Sequence, residues 1–301
     1  MVQTIILTQA NIIGSANSTF KYTFPQTVNF EGEFIAVQQV SLYNSVFNIT
    51  KAFNNNTLSY TWVDGTVVNI TIPDGSYSVF SINTFLQSIF VANNHYVTNA
   101  TGTQNLYFIE LIPNISQYAY QLNLYPISTA NTTGYVVPAG STWTLANCDG
   151  SVGGSITPTI TIPNNNIVKL LGFNAGTYPN TVISSGVTPY AENPPINNTY
   201  SVLSQNAPEI NPQPNYLGLC SLVNNTRVIP SQLIYIITPQ GEIGAISNNQ
   251  INNLAFNKIA DGNYKDFEFR FTDTVGNPII FQDPNITIML VIASKEEIYY
   301  Y

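Results

Sequence analysis

Charged side chains are scarce in this sequence. Asp, Glu, Lys and Arg make up 8% of its 301 residues, whereas hydrophobic residues reach 44% and aromatic residues 12%. A typical soluble domain has about 25% charged residues. The eight cations are outnumbered by sixteen acids, and no cation lies between Lys51 and Lys169. Because so few cations cannot form a basic stripe for phosphates, we expect no direct nucleic-acid binding.

Long apolar runs and cysteines are also rare. The longest apolar run, residues 288–293, has six residues, whereas a membrane-spanning helix needs about 20. We therefore expect no membrane span. Residues 1–7 contain no basic residue ahead of their apolar stretch and do not resemble a secretory signal. Cys148 and Cys220 lie too far apart for a metal knuckle or a Cys-x-x-C pair, so we expect buried or incidental thiols.

Candidate catalytic residues are few. His95 is the only histidine, so any Ser-His-Asp, Cys-His or histidine-containing metal site would require it. It follows a predicted helix, where we expect a surface or capping role. Asp266 and Glu268 form the clearest acid cluster for a hydrolase, but one of them more simply pairs with Arg270 or Lys265. We therefore predict no catalytic, cofactor-binding or metal-binding residue and do not expect an enzyme.

Alternation of apolar and polar residues predicts strands along most of the chain. The clearest pair is 57–63 and 66–72, joined by Asp64-Gly65, which predicts a hairpin with a type I′ turn. A longer strand at 33–47 starts buried on both faces and is predicted to contain a bulge. The apolar stretch at 286–293 is typical of a core strand.

One further strand carries an unusual concentration of charge. Residues 265–271 place three Phe on one face and Asp266, Glu268 and Arg270 on the other. We expect the polar face of this strand to meet water or a charged partner. These three residues are the candidate interface residues of the sequence.

Helical periodicity occurs twice. Residues 79–90 follow Ser78 as an N-cap, and residues 167–171 lie between Asn166 as a cap and Gly172 as the terminating residue. Clustered Gly and Pro at about 126–215 predict long loops or a small insertion. With ten or more strands and no βαβ alternation, residues 1–301 are predicted to form one all-β domain. We expect a single jelly-roll β-sandwich with two short helices and a loop-rich elaboration or insertion at 126–215.

The composition itself predicts extensive contacts with other proteins. Charged Lys and Glu are depleted at the centres of protein interfaces, where aromatic residues are enriched, and this chain has 19 Tyr and 16 Phe. Nearly half of its charged residues lie within residues 258–301. We therefore expect much of the surface to be buried against neighbours, with the charged region as an exception.

Three strings resemble motifs of the minor capsid (penton) proteins of virophages and Polinton-like elements. They are Ile-Pro-Asp-Gly-Ser-Tyr-Ser at 72–78, Leu-Leu-Gly-Phe at 170–173 and Phe-Arg-Phe-Thr-Asp-Thr-Val-Gly-Asn-Pro at 269–278. The resemblance implies a single jelly roll that assembles as a homopentamer at icosahedral vertices, beside a double-jelly-roll major capsid protein. It also implies a location in the virion and assembly in the host cytoplasm, without a cofactor. Some relatives carry a second domain inserted into the jelly roll.

Two other classes of function stay open at the level of sequence. The main alternative is a glycan- or receptor-binding β-sandwich of the adhesin type, with Trp62 and Trp143 as candidates for stacking on a sugar. Composition alone allows this alternative. A hydrolase that uses the pair of acids Asp266 and Glu268 is the third class.

Overall fold

The computed structural model describes residues 2–127, 132–145, 157–179, 200–211, 214–241 and 243–300. The chain forms two compact units. One unit combines Met1–Phe47 with Gln213–Tyr301, and we call it the roll. The other, Asn48–Pro212, interrupts the roll in sequence, and we call it the insertion.

The described residues contain twenty strands and two α-helices. The strands are β1 (Gln3–Leu7), β2 (Ile12–Ile13), β3 (Thr19–Phe30), β4 (Glu33–Tyr43), β5 (Thr57–Thr61), β6 (Val67–Thr71), β7 (Val97–Asn99), β8 (Asn105–Leu106), β9 (Ile109–Asn114), β10 (Ala119–Leu124), β11 (Tyr135–Val136), β12 (Thr159–Ile162), β13 (Gly176–Tyr178), β14 (Tyr200–Leu203), β15 (Tyr216–Cys220), β16 (Leu233–Ile237), β17 (Ile246–Gln250), β18 (Asn257–Lys258), β19 (Gly262–Thr272) and β20 (Thr287–Ser294). The helices are α1 (Val79–Ala92) and α2 (Ile167–Leu171). The predicted all-β class is confirmed.

The roll consists of two antiparallel sheets. The first has the order β1-β20-β4-β17, with β18 also pairing with β4, and the second has the order β16-β15-β19-β3-β2. If the eight roll strands of at least five residues are numbered along the chain, the first sheet reads 1-8-3-6 and the second 5-4-7-2. This interleaving of early and late strands is the order of a jelly roll. The predicted jelly roll is therefore confirmed.

Alternating side chains build the core of the roll. On β19, Phe267, Phe269 and Phe271 are buried, and the Phe269 and Phe271 rings meet edge to face with their centroids 5.2 Å apart. Strand β20 is buried along most of its length, as the apolar run predicted. The predicted bulge in β4 is confirmed, because Gln39 pairs with Met289 while Val37 pairs with Leu290, which leaves one extra residue on β4.

The insertion contains three antiparallel sheets around a core of its own. Their orders are β13-β12-β5-β6, β14-β10-β9 and β11-β7-β8. Helix α1 begins where the sequence predicts, because the Ser78 hydroxyl accepts a hydrogen bond from the Ser81 N–H at 3.2 Å. Helix α2 ends as predicted at Gly172, whose φ is +75°. The Asn166 side chain does not cap α2, however; Asn165 Oδ1 accepts the Ile167 N–H instead, at 2.9 Å.

The insertion starts earlier in the chain than the predicted elaboration at 126–215. The hairpin β5–β6 and helix α1 belong to it because Tyr60 and Ile82 are buried in the same core as Leu122 and Ile160. The sequence shows that these elements are amphipathic, but it does not show which core covers their apolar faces.

The hairpin between β5 and β6 is confirmed, but its turn differs from the prediction. Gly65 has a φ of +87°, whereas Asp64 is not among the residues with positive φ, so the turn is not type I′. The Trp62 N–H donates to Thr66 O at 2.8 Å and closes a three-residue loop. A left-handed glycine at the third position is the usual form of such a loop.

Candidate functional site

Asp266, Glu268 and Arg270 lie exposed on the outer face of the second roll sheet, as predicted. Strand β19 is pleated, so the intervening residues point into the core. Those intervening residues are Phe267, Phe269 and Phe271. The structure thus brings all three predicted interface residues together on one strand.

The pairing of these charges differs from the prediction. Lys21 on β3 lies directly opposite Glu268, yet its Nζ contacts Asp266 Oδ2 at 3.1 Å. The partner of Asp266 is therefore Lys21, rather than Arg270 or Lys265. Both side chains of the pair are about half exposed, and such surface pairs contribute about 0–1 kcal/mol to stability.

The hydrogen bonds that Arg270 and the Glu268 backbone form across this sheet are with neutral groups. One Nη of Arg270 donates to the neutral Oε1 of Gln232 at 3.0 Å. The Glu268 backbone N–H donates to the Ser221 hydroxyl at 2.9 Å. Within the described part of the chain, neither side chain takes part in an ion pair. Glu268 and Arg270, two residues apart on the same strand, are therefore an acid and a base without an ionic partner among the described residues.

Exposed isoleucines lie at both edges of this charged face. In the antiparallel register, Arg270 is opposite Thr19, and Thr19 is opposite Ile13 on β2. On the other side, Thr272 and Ile236 of β16 both lie opposite Leu217, and the buried residues Thr272 and Leu217 separate Ile236 from the charged residues of β19. Ile13 is 40% exposed and Ile236 is 52% exposed. We call the face formed by Ile13, Lys21, Ile236 and the three charged residues of β19 the charged face.

Sequence reasoning missed Lys21, Gln232 and the two isoleucines of the charged face. Lys21 was visible on the polar side of an alternating strand at 19–24. The missing information was the pairing of β3 with β19, which joins segments more than two hundred residues apart. No local signal in the sequence specifies that register.

His95 lies in an aromatic cluster in the core of the insertion, so the expected surface role is wrong. Only 3% of the residue is exposed. Its ring stacks on Trp62 at a centroid distance of 4.7 Å, and its Nδ1 is 2.7 Å from the Tyr60 hydroxyl. Burial lowers the pKa of His95, and the nearby Asp64 carboxylate opposes this shift. The capping part of the expectation is met by the His95 backbone N–H, which donates to Phe90 O at 2.8 Å.

The predicted sugar-stacking residues are also inaccessible. Trp62 and Trp143 are each only 2% exposed, and their rings contact each other with centroids 5.1 Å apart. Trp143 Nε1 donates to Asn94 O at 2.8 Å, which fixes the ring in the cluster. A sugar could not stack on either ring in this conformation, so these two residues do not support the glycan-binding alternative.

The two cysteines, possible metal ligands and possible membrane-spanning helices are the remaining candidates. Cys220 is a buried free thiol, and burial raises its pKa to about 12. Cys148 lies outside the described residues. Among the residues that the structure describes, no group of three His, Cys, Asp or Glu side chains could hold a metal ion. In the same part of the chain, no helix has both the length and the apolar character needed to cross a membrane.

The strand order defines a jelly-roll protein with a β-rich insertion between β4 and β15. No protein-family model and no curated protein matches the chain. Among solved structures, the chain is similar to the crystal structure of the mavirus penton protein, with 9% identity, 98% coverage of both chains and a TM-score of 0.43. It is also similar to the cryo-electron-microscopy structure of the Sputnik virophage, with 14% identity, 98% coverage of both chains and a TM-score of 0.39. At these TM-scores, the fold assignment rests on the strand order itself.

Proposed function

We propose that this chain is a structural capsid protein that forms the pentameric vertex of an icosahedral virophage-like particle. In this proposal it contacts the double-jelly-roll major capsid protein, resides in the virion, is assembled in the host cytoplasm and performs no catalysis. The jelly-roll strand order and the strings at 72–78 and 269–278 support this role. The charged face of the roll is the observation that supports the proposed pentamer.

The charged face has the composition of a surface that meets another protein. Its charged residues Lys21, Asp266, Glu268 and Arg270 include both signs, so the face can pair with groups of either sign on a neighbour. Glu268 and Arg270 lack ionic partners among the described residues and can pair with groups on a neighbour. The exposed isoleucines at both edges supply apolar area for such a contact.

A ring follows if this face meets a different surface of the next copy. Such a head-to-tail contact is heterologous, and it closes after five copies when the rotation between neighbours is 72°. Every copy then contributes one charged face and one complementary surface. Desolvated charge pairs across such contacts are sensitive to mutation, because removing one partner weakens the free energy of association by about 2–5 kcal/mol.

Native mass spectrometry of the purified protein tests this proposal directly. Five copies of the 33.1 kDa chain have a mass of about 166 kDa. We expect a pentamer for the wild type and dissociation for Glu268→Arg and Arg270→Glu. The matched control reverses the exposed Lys258–Asp261 ion pair of the roll, whose Nζ–Oδ2 distance is 2.9 Å, through Lys258→Asp and Asp261→Lys together. This control should remain pentameric.

Two results would contradict different parts of the proposal. A wild-type protein that stays monomeric at high concentration, and is absent from particle vertices in cryo-electron micrographs, would contradict the vertex role. A pentamer that resists both charge reversals would contradict the placement of the interface on the charged face. Near-ultraviolet circular dichroism of each variant checks that the roll remains folded.

A further inference from the structure

Strand β6 of the insertion is a sheet edge with a row of free backbone groups. It is the outermost strand of the sheet β13-β12-β5-β6. Hydrogen bonds from Trp62 N to Thr66 O and from Ile72 N to Asn56 O fix the phase of its pairing with β5. Because antiparallel pairing alternates, the N–H and C=O groups of Val67, Asn69 and Thr71 point away from β5.

This edge lacks the features that normally prevent strand addition. Natural edge strands are commonly protected by Lys, Pro or a bulge. Residues 67–71 read Val-Val-Asn-Ile-Thr and pair with β5 in unbroken register. Val67 is 59% exposed, and Asn69 and Thr71 are exposed as well, so no described residue of the insertion covers these three positions of the edge. The three outward residues therefore offer three donors and three acceptors to an added strand.

Acidic groups lie just beyond both ends of the edge. On one side, Asp64 accepts the Thr66 N–H at 2.9 Å and the Thr142 hydroxyl at 2.9 Å. These hydrogen bonds lower the pKa of Asp64 despite its partial desolvation, so the carboxylate is ionised at neutral pH. On the other side, Asp74 accepts the backbone N–H of Lys51 at 2.7 Å. Lys51 is exposed and forms no ion pair within the described residues.

The positions of these acids discriminate between two possible occupants. A second copy could pair β6 with β6 antiparallel about Asn69, which would satisfy all outward groups of both strands. That register, however, places Asp64 of one copy toward Asp74 of the other at each end of the pair. The two carboxylates repel each other, and Lys51 beside Asp74 offsets only part of this repulsion. A strand of opposite charge at its ends would gain from the same two carboxylates.

We propose that β6 is a docking edge for an extended segment of a partner protein, with about five uncharged, β-prone residues flanked by Lys or Arg. Backbone hydrogen bonds to Val67, Asn69 and Thr71 would hold the segment. Its flanking cations would face Asp64 and Asp74. This inference does not depend on the capsid role of the chain.

Peptide binding to the nitrogen-15-labelled full chain, followed by nuclear magnetic resonance, tests the proposal. The first probe is acetyl-Lys-Thr-Val-Thr-Val-Thr-Lys-amide, and the second has Glu in place of each Lys. We expect the first peptide to slow hydrogen exchange at the Val67, Asn69 and Thr71 amides and the second to bind about tenfold more weakly at low salt. Increasing salt should reduce this difference.

A pair of variants separates backbone docking from other modes of binding. Asn69→Pro removes an outward N–H but no hydrogen bond to β5, so an edge strand can accommodate it. Asn69→Thr keeps the N–H and is the matched control. We expect Asn69→Pro to weaken the Lys-flanked peptide about tenfold relative to Asn69→Thr, with an unchanged near-ultraviolet spectrum.

Three outcomes would overturn the proposal. The first is equal binding of the Lys-flanked peptide to both variants, and the second is equal binding of the two peptides to the wild type. The third is association of the wild-type chain through β6, detected as mutual protection of the same three amides without peptide and abolished by Asn69→Pro. That result would identify the occupant as a second copy instead.

Discussion

Acidification should destabilise the insertion through His95. Histidine in an unfolded chain has a pKa of about 6.5. Burial lowers the pKa of His95 in the folded state, so below pH 6.5 the unfolded chain binds a proton that the folded chain does not. Stability is therefore full above about pH 6.5 and is lost as the pH falls towards the folded pKa.

The size of the effect is bounded by the single proton involved. One proton changes the free energy of unfolding by at most about 1.4 kcal/mol per pH unit, which gives about 2 kcal/mol between pH 6.5 and 5. The two ionisable groups nearest to His95 do not titrate in this interval. Burial raises the pKa of Tyr60, and hydrogen bonds lower the pKa of Asp64 below its ordinary value.

Urea unfolding monitored by tryptophan fluorescence measures this dependence. The chain has two tryptophans, Trp62 and Trp143, and both lie in the cluster around His95, so the signal reports on the insertion. His95→Asn is the informative variant, because its amide can take the place of Nδ1 beside the Tyr60 hydroxyl without titrating. We expect it to remove the pH dependence between pH 6.5 and 5.

The control variant is Asp64→Asn, which removes the carboxylate that opposes the shift in His95. We expect the pH dependence to persist in this variant and to extend to lower pH. A wild-type insertion whose unfolding free energy is constant from pH 7 to 5 would refute the reasoning. So would a His95→Asn variant with an undiminished slope.

Two further predictions concern single residues. Gly172→Ala places a Cβ 2.3 Å from Asn206 O at a φ of +75° and should cost about 3 kcal/mol or more, whereas Gly65→Ala, at +87° with open space around it, should cost about 1 kcal/mol. Equal losses in urea unfolding would contradict the steric part of this argument. In a Cys148→Ser background, Cys220 should react with a thiol reagent at pH 8 only as fast as the protein unfolds, because it is buried and its pKa is raised to about 12. Rapid labelling of the native protein would show that the thiol is accessible.

Local patterns predicted the elements of this fold well. The Asp64-Gly65 hairpin, the cap at Ser78 and the left-handed Gly172 each depend on a few neighbouring residues, and all three occur in the structure. The alternation at 265–271 also assigned the correct outward face to Glu268 and Arg270. These features follow from backbone geometry that a short segment specifies by itself.

Features that depend on distant partners were not predictable in the same way. The polar sequence around His95 suggested the surface. The rings that bury it, however, belong to Tyr60 of β5 and to Trp62 directly after β5, more than thirty residues earlier in the chain. Similarly, Lys21 pairs with Asp266 rather than with Glu268, the acid directly opposite it. This pairing depends on the side-chain geometry between two paired strands. The start of the insertion at Asn48 could not be predicted from the sequence, because the pattern of an amphipathic strand does not indicate which core its apolar face covers.

The strand order of the roll also has a consequence for synthesis on the ribosome. Strand β1 pairs with β20, and β3 pairs with β19, so both sheets need partners from the two distant ends of the sequence. All residues of the insertion are translated before β15 appears. The insertion can therefore fold before the strands that pair with β1, β3 and β4 of the roll have been synthesised. During this interval β1, β3 and β4 expose unpaired edges, which makes them the part of the nascent chain that most needs protection from aggregation.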